Sequence, residues 1–151
     1  MLNLLYRSPA LRTAAAFAIG GVAFSVGNLI LARFLSAEAY GLVSLVVGLI
    51  SLAVLIAPLG IDTVVTRRGW PLGTALRRRA LAASVLTGLV MTILGYVLYD
   101  LSAPLLVCLF VATTSGGVTQ ATGAHFQSQR QFSISVLILQ ASNWAIVVAG
   151  L

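Results

Sequence analysis

Polar residues inside long apolar runs are the candidates for chemistry in this 151-residue chain. Three groups of small or polar residues each fall on one helix face: Gly21, Ser25 and Asn28; Thr113, Gly116 or Gly117, Gln120, Gly123 and Gln127; Gln140 with Asn143. Such faces can join helices by close packing and amide hydrogen bonds. They can equally line a hydrated cavity for a polar solute. For a single polar residue we favour packing, and for the stripe over residues 113–127 both interpretations stay open.

Two charged residues near the ends of apolar runs allow similar alternatives. Arg33 could extend its side chain to the membrane surface beside Glu38. It could instead bind an anionic substrate, because its planar guanidinium can donate to two phosphate oxygens at once. Asp62 could couple transport to protons or sodium, but its position beside Arg67 and Arg68 favours an ordinary boundary charge.

Several function classes are not supported by the composition. With one His and three widely separated acids, the chain has neither a metal-spaced cluster nor a Gly-rich phosphate loop, so we expect no enzyme activity and no cofactor. Cys108 has no second cysteine to pair with. The net charge of +6 does not indicate nucleic-acid binding, because no basic face with interleaved aromatic residues occurs.

The elements that must position these residues are membrane helices. Apolar residues make up 60% of the chain and charged residues 8%, whereas about a quarter of a soluble domain is charged. Apolar runs long enough to cross a bilayer predict an all-α integral membrane domain with about five spans. We place them at about residues 13–32, 39–61, 80–99, 101–124 and 133–151.

The ends of these runs carry further expectations. A signal peptide is the alternative for the first run, but its length and the apolar runs that follow favour an uncleaved helix. Pro58 and Gly60 predict a kink or frayed turn at the end of the second run. The next link is expected to be interfacial, with Trp70 at the headgroups and a short surface helix after Pro71. The fifth run ends without an anchor, so we expect a truncated chain.

The distribution of arginine predicts the orientation. Basic residues concentrate in the cytoplasmic loops of membrane proteins. A cytoplasmic N-terminus puts eight arginines inside and leaves only Arg33 outside. The eight are Arg7, Arg12, Arg67, Arg68, Arg77, Arg78, Arg79 and Arg130.

Most of the sequence, from about Ala10 onward, resembles a known family. The segment GNLILARFLSAEAYGLVSLVVGLISLAVLIAPLGIDTVVTRR is similar to the first two helices of polysaccharide (O-antigen type) flippases, of the multidrug/oligosaccharidyl-lipid/polysaccharide exporter superfamily. The matching positions are Ala32, Arg33, Leu35, Glu38, Tyr40, Gly41, Leu59, Gly60 and Arg68. FQSQRQF resembles the family's link into helix five. Members have two pseudo-symmetric lobes, and the chain resembles most of the N-terminal one.

The resemblance implies a carrier in the bacterial inner membrane that flips undecaprenyl-diphosphate-linked oligosaccharide during polysaccharide or lipopolysaccharide biosynthesis. Expected partners are this lipid, membrane lipids, and a second lobe or other polysaccharide-assembly membrane proteins, with no nucleic acid. Arg33 is the substrate contact that the motif implies. Position alone adds Asn28, Gln120, Gln127, Arg130, Gln140 and Asn143. The alternatives are a multidrug exporter of the same fold and a truncated, non-transporting fragment or scaffold.

Overall fold

The computed structural model describes residues 8–140, and these form six α-helices. The helices are α1 (Pro9–Phe34), α2 (Ala37–Ile56), α3 (Ile61–Arg68), α4 (Thr74–Tyr99), α5 (Ala103–Ser128) and α6 (Phe132–Leu139). Within the described residues, four of them, α1, α2, α4 and α5, are long and apolar enough to cross a membrane. The predicted fifth span begins as α6, and residues 141–151 lie outside the described part.

The outer surfaces of the long helices are apolar. Leu29 is 71% exposed, Phe34 76% and Val97 68%, although each lies on a helix long enough to span the bilayer. Exposed side chains of this size would be unfavourable in water, whereas lipid tails provide an equally apolar surrounding. The fold is therefore that of an integral membrane helical protein, as the composition predicted.

Helix α5 is the centre of the bundle, since α2, α3, α4 and α6 all pack against it. One apolar cluster joins Val46 and Ala53 of α2 to Met91 of α4 and Leu109 of α5. Further along, Gly116 and Gly117 lie against Val54 and Ala57. Residue numbers thus increase in the same direction along both helices, so α2 and α5 are parallel.

The two ends of the bundle differ in charge. One end holds α3, the start of α4 and the turn after α5; these segments carry six arginines, and we call it the basic end. They are Arg67, Arg68, Arg77, Arg78, Arg79 and Arg130. The opposite end holds the links from α1 to α2 and from α4 to α5, with Arg33, Glu38 and Asp100.

The α1–α2 link is shorter than the predicted gap between residues 32 and 39. Ser36 is the N-cap of α2, and its hydroxyl accepts a hydrogen bond of 3.3 Å from the Ala39 backbone N–H. This cap brings Ala37 and Glu38 into the first helical turn, where the carboxylate also favours the helix dipole. The second helix therefore begins at Ala37, two residues before the predicted start at Ala39.

The second helix also ends earlier than expected, at Ile56 rather than near Ile61. The turn after it contains Pro58, which cannot donate a backbone hydrogen bond, and two residues with positive φ, Leu59 at 47° and Gly60 at 80°. A separate short helix, α3, follows and ends at Gly69, where φ is 63°. The short helix thus precedes Pro71, whereas the sequence analysis placed one after it.

Helices α4 and α5 extend beyond the apolar runs that predicted them. The α4 helix starts at Thr74 instead of Ala80, and its first turns contain the arginines 77–79. The α5 helix continues from the predicted end at Ala124 to Ser128. Backbone groups near a membrane surface still need hydrogen bonds, and long side chains can reach water from a helix, so polarity alone did not mark the helix ends.

Candidate functional site

The polar stripe predicted on α5 is in large part a packing surface. A Cβ atom added to Gly117 would collide with the Ser84 hydroxyl of α4 and lie 2.6 Å from Ala57 Cβ. One added to Gly116 would collide with Val54, and one at Gly123 would lie 2.9 Å from Leu139 Cδ2. These glycines permit close contact with α2, α4 and α6, which supports the helix-packing interpretation for their part of the stripe.

The amides of the stripe are less enclosed than its glycines. Gln120 and Gln127 are each half-buried, whereas Gly117 and Gly123 are buried. Both amides lie on the half of α5 nearer the basic end. For these two positions the structure leaves a lining role available.

The predicted polar face of α1 points away from the other described helices. A Cβ atom added to Gly21 would meet no described atom within 4 Å, and Ser25 is exposed. The Ser25 hydroxyl donates to Gly21 O at 3.0 Å, and the Asn28 amide donates to Phe24 O at 2.9 Å. The face that α1 buries consists instead of Gly20, Ala23 and Gly27.

Gln140, directly after α6, packs against this buried side of α1. A Cβ on Gly20 would lie 2.5 Å from Gln140 Oε1, so the amide sits directly on the α1 backbone. Its predicted neighbour, Asn143, lies outside the described residues. The position of Gln140 is that of an amide at a helix–helix contact.

The charged candidates do not form one site. Arg33 lies in the last turn of α1, at the end opposite to Gln127 and Arg130. Arg130 occupies the turn between α5 and α6 with φ of 60°, and its backbone N–H donates to Gln127 O at 2.9 Å. Since α5 has 26 residues and rises 1.5 Å per residue, about 39 Å separates the two ends.

A cleft of about 530 Å³ lies at the basic end, between α4 and α5. Arg77 and Arg78 contribute charge, and Thr122 and His125 contribute polar side chains. The deeper lining is apolar and includes Leu81 and Val118. Of the ten lining residues, none is acidic, so the cleft is suited to an anion with an apolar portion.

His125 makes polar contacts with both of its ring nitrogens. The Leu72 backbone N–H donates to His125 Nδ1 at 3.4 Å. The Gln129 amide lies 3.2 Å from Nε2. His125 therefore holds the loop before α4 against the end of α5.

The two cleft arginines are engaged to different extents. Arg77 donates from Nε to Leu72 O at 3.0 Å, which leaves its terminal N–H groups free to bind an anion. Arg78 is exposed at the cleft wall. Nearby, the Arg68 guanidinium lies 5.4 Å from the centre of the exposed Trp70 ring, a cation–π contact at the same end of the bundle.

The sequence analysis did not identify this cleft. It assigned Arg77 and Arg78 only to membrane orientation. One sequence feature could have indicated the cleft. Arg77 and Leu81 are four residues apart, which puts a cation and an apolar side chain on one helix face. That α5 would complete the cleft depends on tertiary packing.

Asp62 lies outside the four long helices. It occupies the first turn of α3, where a carboxylate favours the helix dipole, and borders a small surface depression with Arg67. This placement favours the boundary-charge interpretation. Across residues 8–140, no group of three or more His, Cys, Asp or Glu side chains could hold a metal ion.

The fold and the outward apolar surfaces indicate a multi-pass membrane protein, since four helices among the described residues are long and apolar enough to cross a membrane. A family model described as polysaccharide biosynthesis protein matches residues 30–142. The match covers most of the chain, which therefore belongs to this family of polysaccharide flippases and exporters, and the resemblance found in the sequence is confirmed. The comparisons with curated proteins and with solved structures give no match.

Proposed function

We propose that the chain is part of a carrier that flips undecaprenyl-diphosphate-linked oligosaccharide across the bacterial inner membrane. The observation that carries this proposal is the family match over residues 30–142, which includes three complete membrane-spanning helices. Membership assigns the chain to polysaccharide biosynthesis or export. Flipping is the step of such a pathway that a bundle of membrane helices can perform without covalent chemistry.

The charge distribution supports an orientation for this carrier. With the basic end in the cytoplasm, the arginines of α3, α4 and the α5–α6 turn face the side that the positive-inside rule predicts. Arg33 then lies at the periplasmic end. In this arrangement the N-terminus is cytoplasmic.

The predicted substrate contacts then divide along the transport path. Gln120, Gln127 and Arg130 would meet the polar head of the lipid on the cytoplasmic side, and Arg33 would meet its diphosphate on the periplasmic side. Asn28, on the partly exposed face of α1, would contact the sugars between them. Gln140 and Asn143 complete the predicted set. Separation of the two charged regions suits alternating access, in which each opens to a different side of the membrane.

Alternating access also requires a second group of helices. Carriers of this kind rock one helical repeat against another around a central site. We propose that the exposed face of α1 with Gly21 and Ser25 contributes to such an interface with a second lobe. This lobe could come from the same gene product or from another polysaccharide-assembly protein.

Deletion of the gene in its source organism tests the proposed function. We expect lipid-linked oligosaccharide to accumulate and surface polysaccharide to fall, with recovery when the gene is restored. Susceptibility to cationic drugs should stay unchanged. Normal precursor levels with increased drug sensitivity would contradict flipping and support the multidrug-exporter alternative.

A further inference from the structure

The cleft between α4 and α5 has the charge pattern of a lipid site. Its polar lining is at the basic end, and its apolar lining is deeper in the bundle. Arg77 and Leu81 lie one turn apart on α4, as do Thr122 and Val118 on α5. On both helices the lining changes from polar at the basic end to apolar deeper in the bundle. The cleft therefore matches a ligand with a charged head and an apolar tail.

Among the polar side chains that line the cleft, the two arginines keep N–H donors that no hydrogen bond within the described residues uses. The Thr122 hydroxyl already donates to Val118 O at 2.8 Å. Both ring nitrogens of His125 are occupied, by Leu72 N–H and by the Gln129 amide. Arg77 uses only Nε within the described residues, and Arg78 is exposed at the wall. Two guanidinium groups with free N–H donors are well suited to a phosphate.

The level of the cleft in the membrane supports the same conclusion. Trp70 lies just before α4 and is 48% exposed, and tryptophan is enriched at the headgroup region of bilayers. Leu81 is 49% exposed and Val118 is 37% exposed, so the apolar wall is open to the surrounding hydrocarbon. A bilayer lipid could therefore place its phosphate beside the arginines while its acyl chain remains in the hydrocarbon layer.

We propose that this cleft binds an anionic glycerophospholipid of the bilayer, with its phosphate on Arg77 and Arg78 and an acyl chain against Leu81 and Val118. The inference does not depend on the proposed flipping activity. Basic pockets between membrane helices are suited to anionic headgroups. A bound lipid would also fill a volume that no described side chain occupies.

Native mass spectrometry of the delipidated full chain, titrated with dioleoyl phosphatidylglycerol, tests the site. The matched pair is Arg78→Gln and Arg79→Gln: adjacent exposed arginines on one helix, of which only Arg78 lines the cleft. We expect Arg78→Gln to weaken binding about fivefold and Arg79→Gln by less than about twofold. Leu81→Asn should also weaken it, because it removes the apolar contact.

Competition identifies the source of the phosphate. Inorganic phosphate should not displace phosphatidylglycerol, and undecaprenyl diphosphate should displace it no better than phosphatidylglycerol itself. Equal losses for Arg78→Gln and Arg79→Gln would overturn the proposal in favour of general electrostatic attraction. Displacement by inorganic phosphate would indicate a free-anion site, and much stronger displacement by undecaprenyl diphosphate would assign the cleft to the transported substrate.

Discussion

Replacement of Gly117 by alanine should destabilise the bundle at the point where three parts of the chain meet. The glycine is buried on α5, against Ser84 of α4 and against Ala57 in the turn after α2. An added Cβ would lie 2.6 Å from Ala57 Cβ, whereas carbon atoms in favourable contact are about 3.5–4.0 Å apart. The helices would therefore have to separate by about 1 Å, with loss of contacts along α5.

The steric cost can be isolated with a control. Gly48 lies in α2, is exposed, and has no described atom within 4 Å of an added Cβ. At both positions alanine gains up to about 1 kcal/mol of helix propensity. Overpacking costs about 1–3 kcal/mol, and only Gly117→Ala incurs it. The difference between the two variants should therefore be about 1–3 kcal/mol.

Unfolding of the purified full chain by sodium dodecyl sulfate in mixed micelles, followed by circular dichroism, measures this difference. The double variant with Ala57→Gly should recover part of the loss, because it removes one of the colliding atoms, with a coupling energy of at least about 0.5 kcal/mol. If Gly117→Ala unfolds within about 0.3 kcal/mol of Gly48→Ala, the reasoning about close packing is refuted.

Three further predictions concern buried hydroxyls, helix capping and orientation. Thr113 Oγ1 is buried and lacks a hydrogen-bond partner among the described residues, so Thr113→Val should stabilise the chain by up to about 1 kcal/mol in the same unfolding assay. Thr92→Val is its control and should not stabilise, because the Thr92 hydroxyl donates to Gly88 O at 2.7 Å. Ser36→Ala should lower the free energy of unfolding by about 1 kcal/mol, because it removes the α2 N-cap. The control, Ser51→Ala on an exposed face of α2, should be close to neutral. Equal effects of the two substitutions would contradict the capping role. The orientation can be tested with single cysteines in a Cys108→Ala background. A cysteine at position 33 should react with a membrane-impermeant maleimide in spheroplasts, and one at position 130 should react only after permeabilisation. The reverse pattern would invert the proposed orientation.

The sequence predicted the class of fold because the bilayer imposes a simple length requirement. Uncharged runs such as 13–32 must be helical to satisfy their backbone hydrogen bonds in lipid, and this requirement needs no knowledge of neighbouring helices. The same reasoning could not locate the helix ends. Arg77 lies in α4 although it is charged, since a long side chain can leave the membrane while the backbone stays helical.

The candidate site was harder to predict, because a stripe on one helix does not reveal its partner. The spacing of Gly117, Gln120 and Gly123 correctly places them near one face of α5, but the contacts of Gly117 come from Ser84 and Ala57, which are distant in sequence. Likewise, the cleft exists only because α4 and α5 are antiparallel, which brings Arg77 and His125 to the same end. Such pairings depend on tertiary packing.

The family resemblance was more informative than any single polar residue. The ARFLSAEAYG segment resembles a family of polysaccharide flippases, and the match to a polysaccharide biosynthesis family confirms that family relationship. Arg33, the residue that the motif singled out, lies in the last turn of α1 at the end opposite to the cleft. Its role in substrate binding stays a prediction.

The most direct test of the central proposal is a flipping assay with the complete gene product in sealed proteoliposomes. Fluorescent undecaprenyl-diphosphate-linked oligosaccharide is placed in both leaflets, and a membrane-impermeant reductant then bleaches the outer one. If the protein flips this lipid, nearly all the fluorescence should be lost, and an Arg33→Gln variant should lose the inner-leaflet portion more slowly. A residual signal of about half, equal to that of protein-free vesicles, would contradict the proposed function.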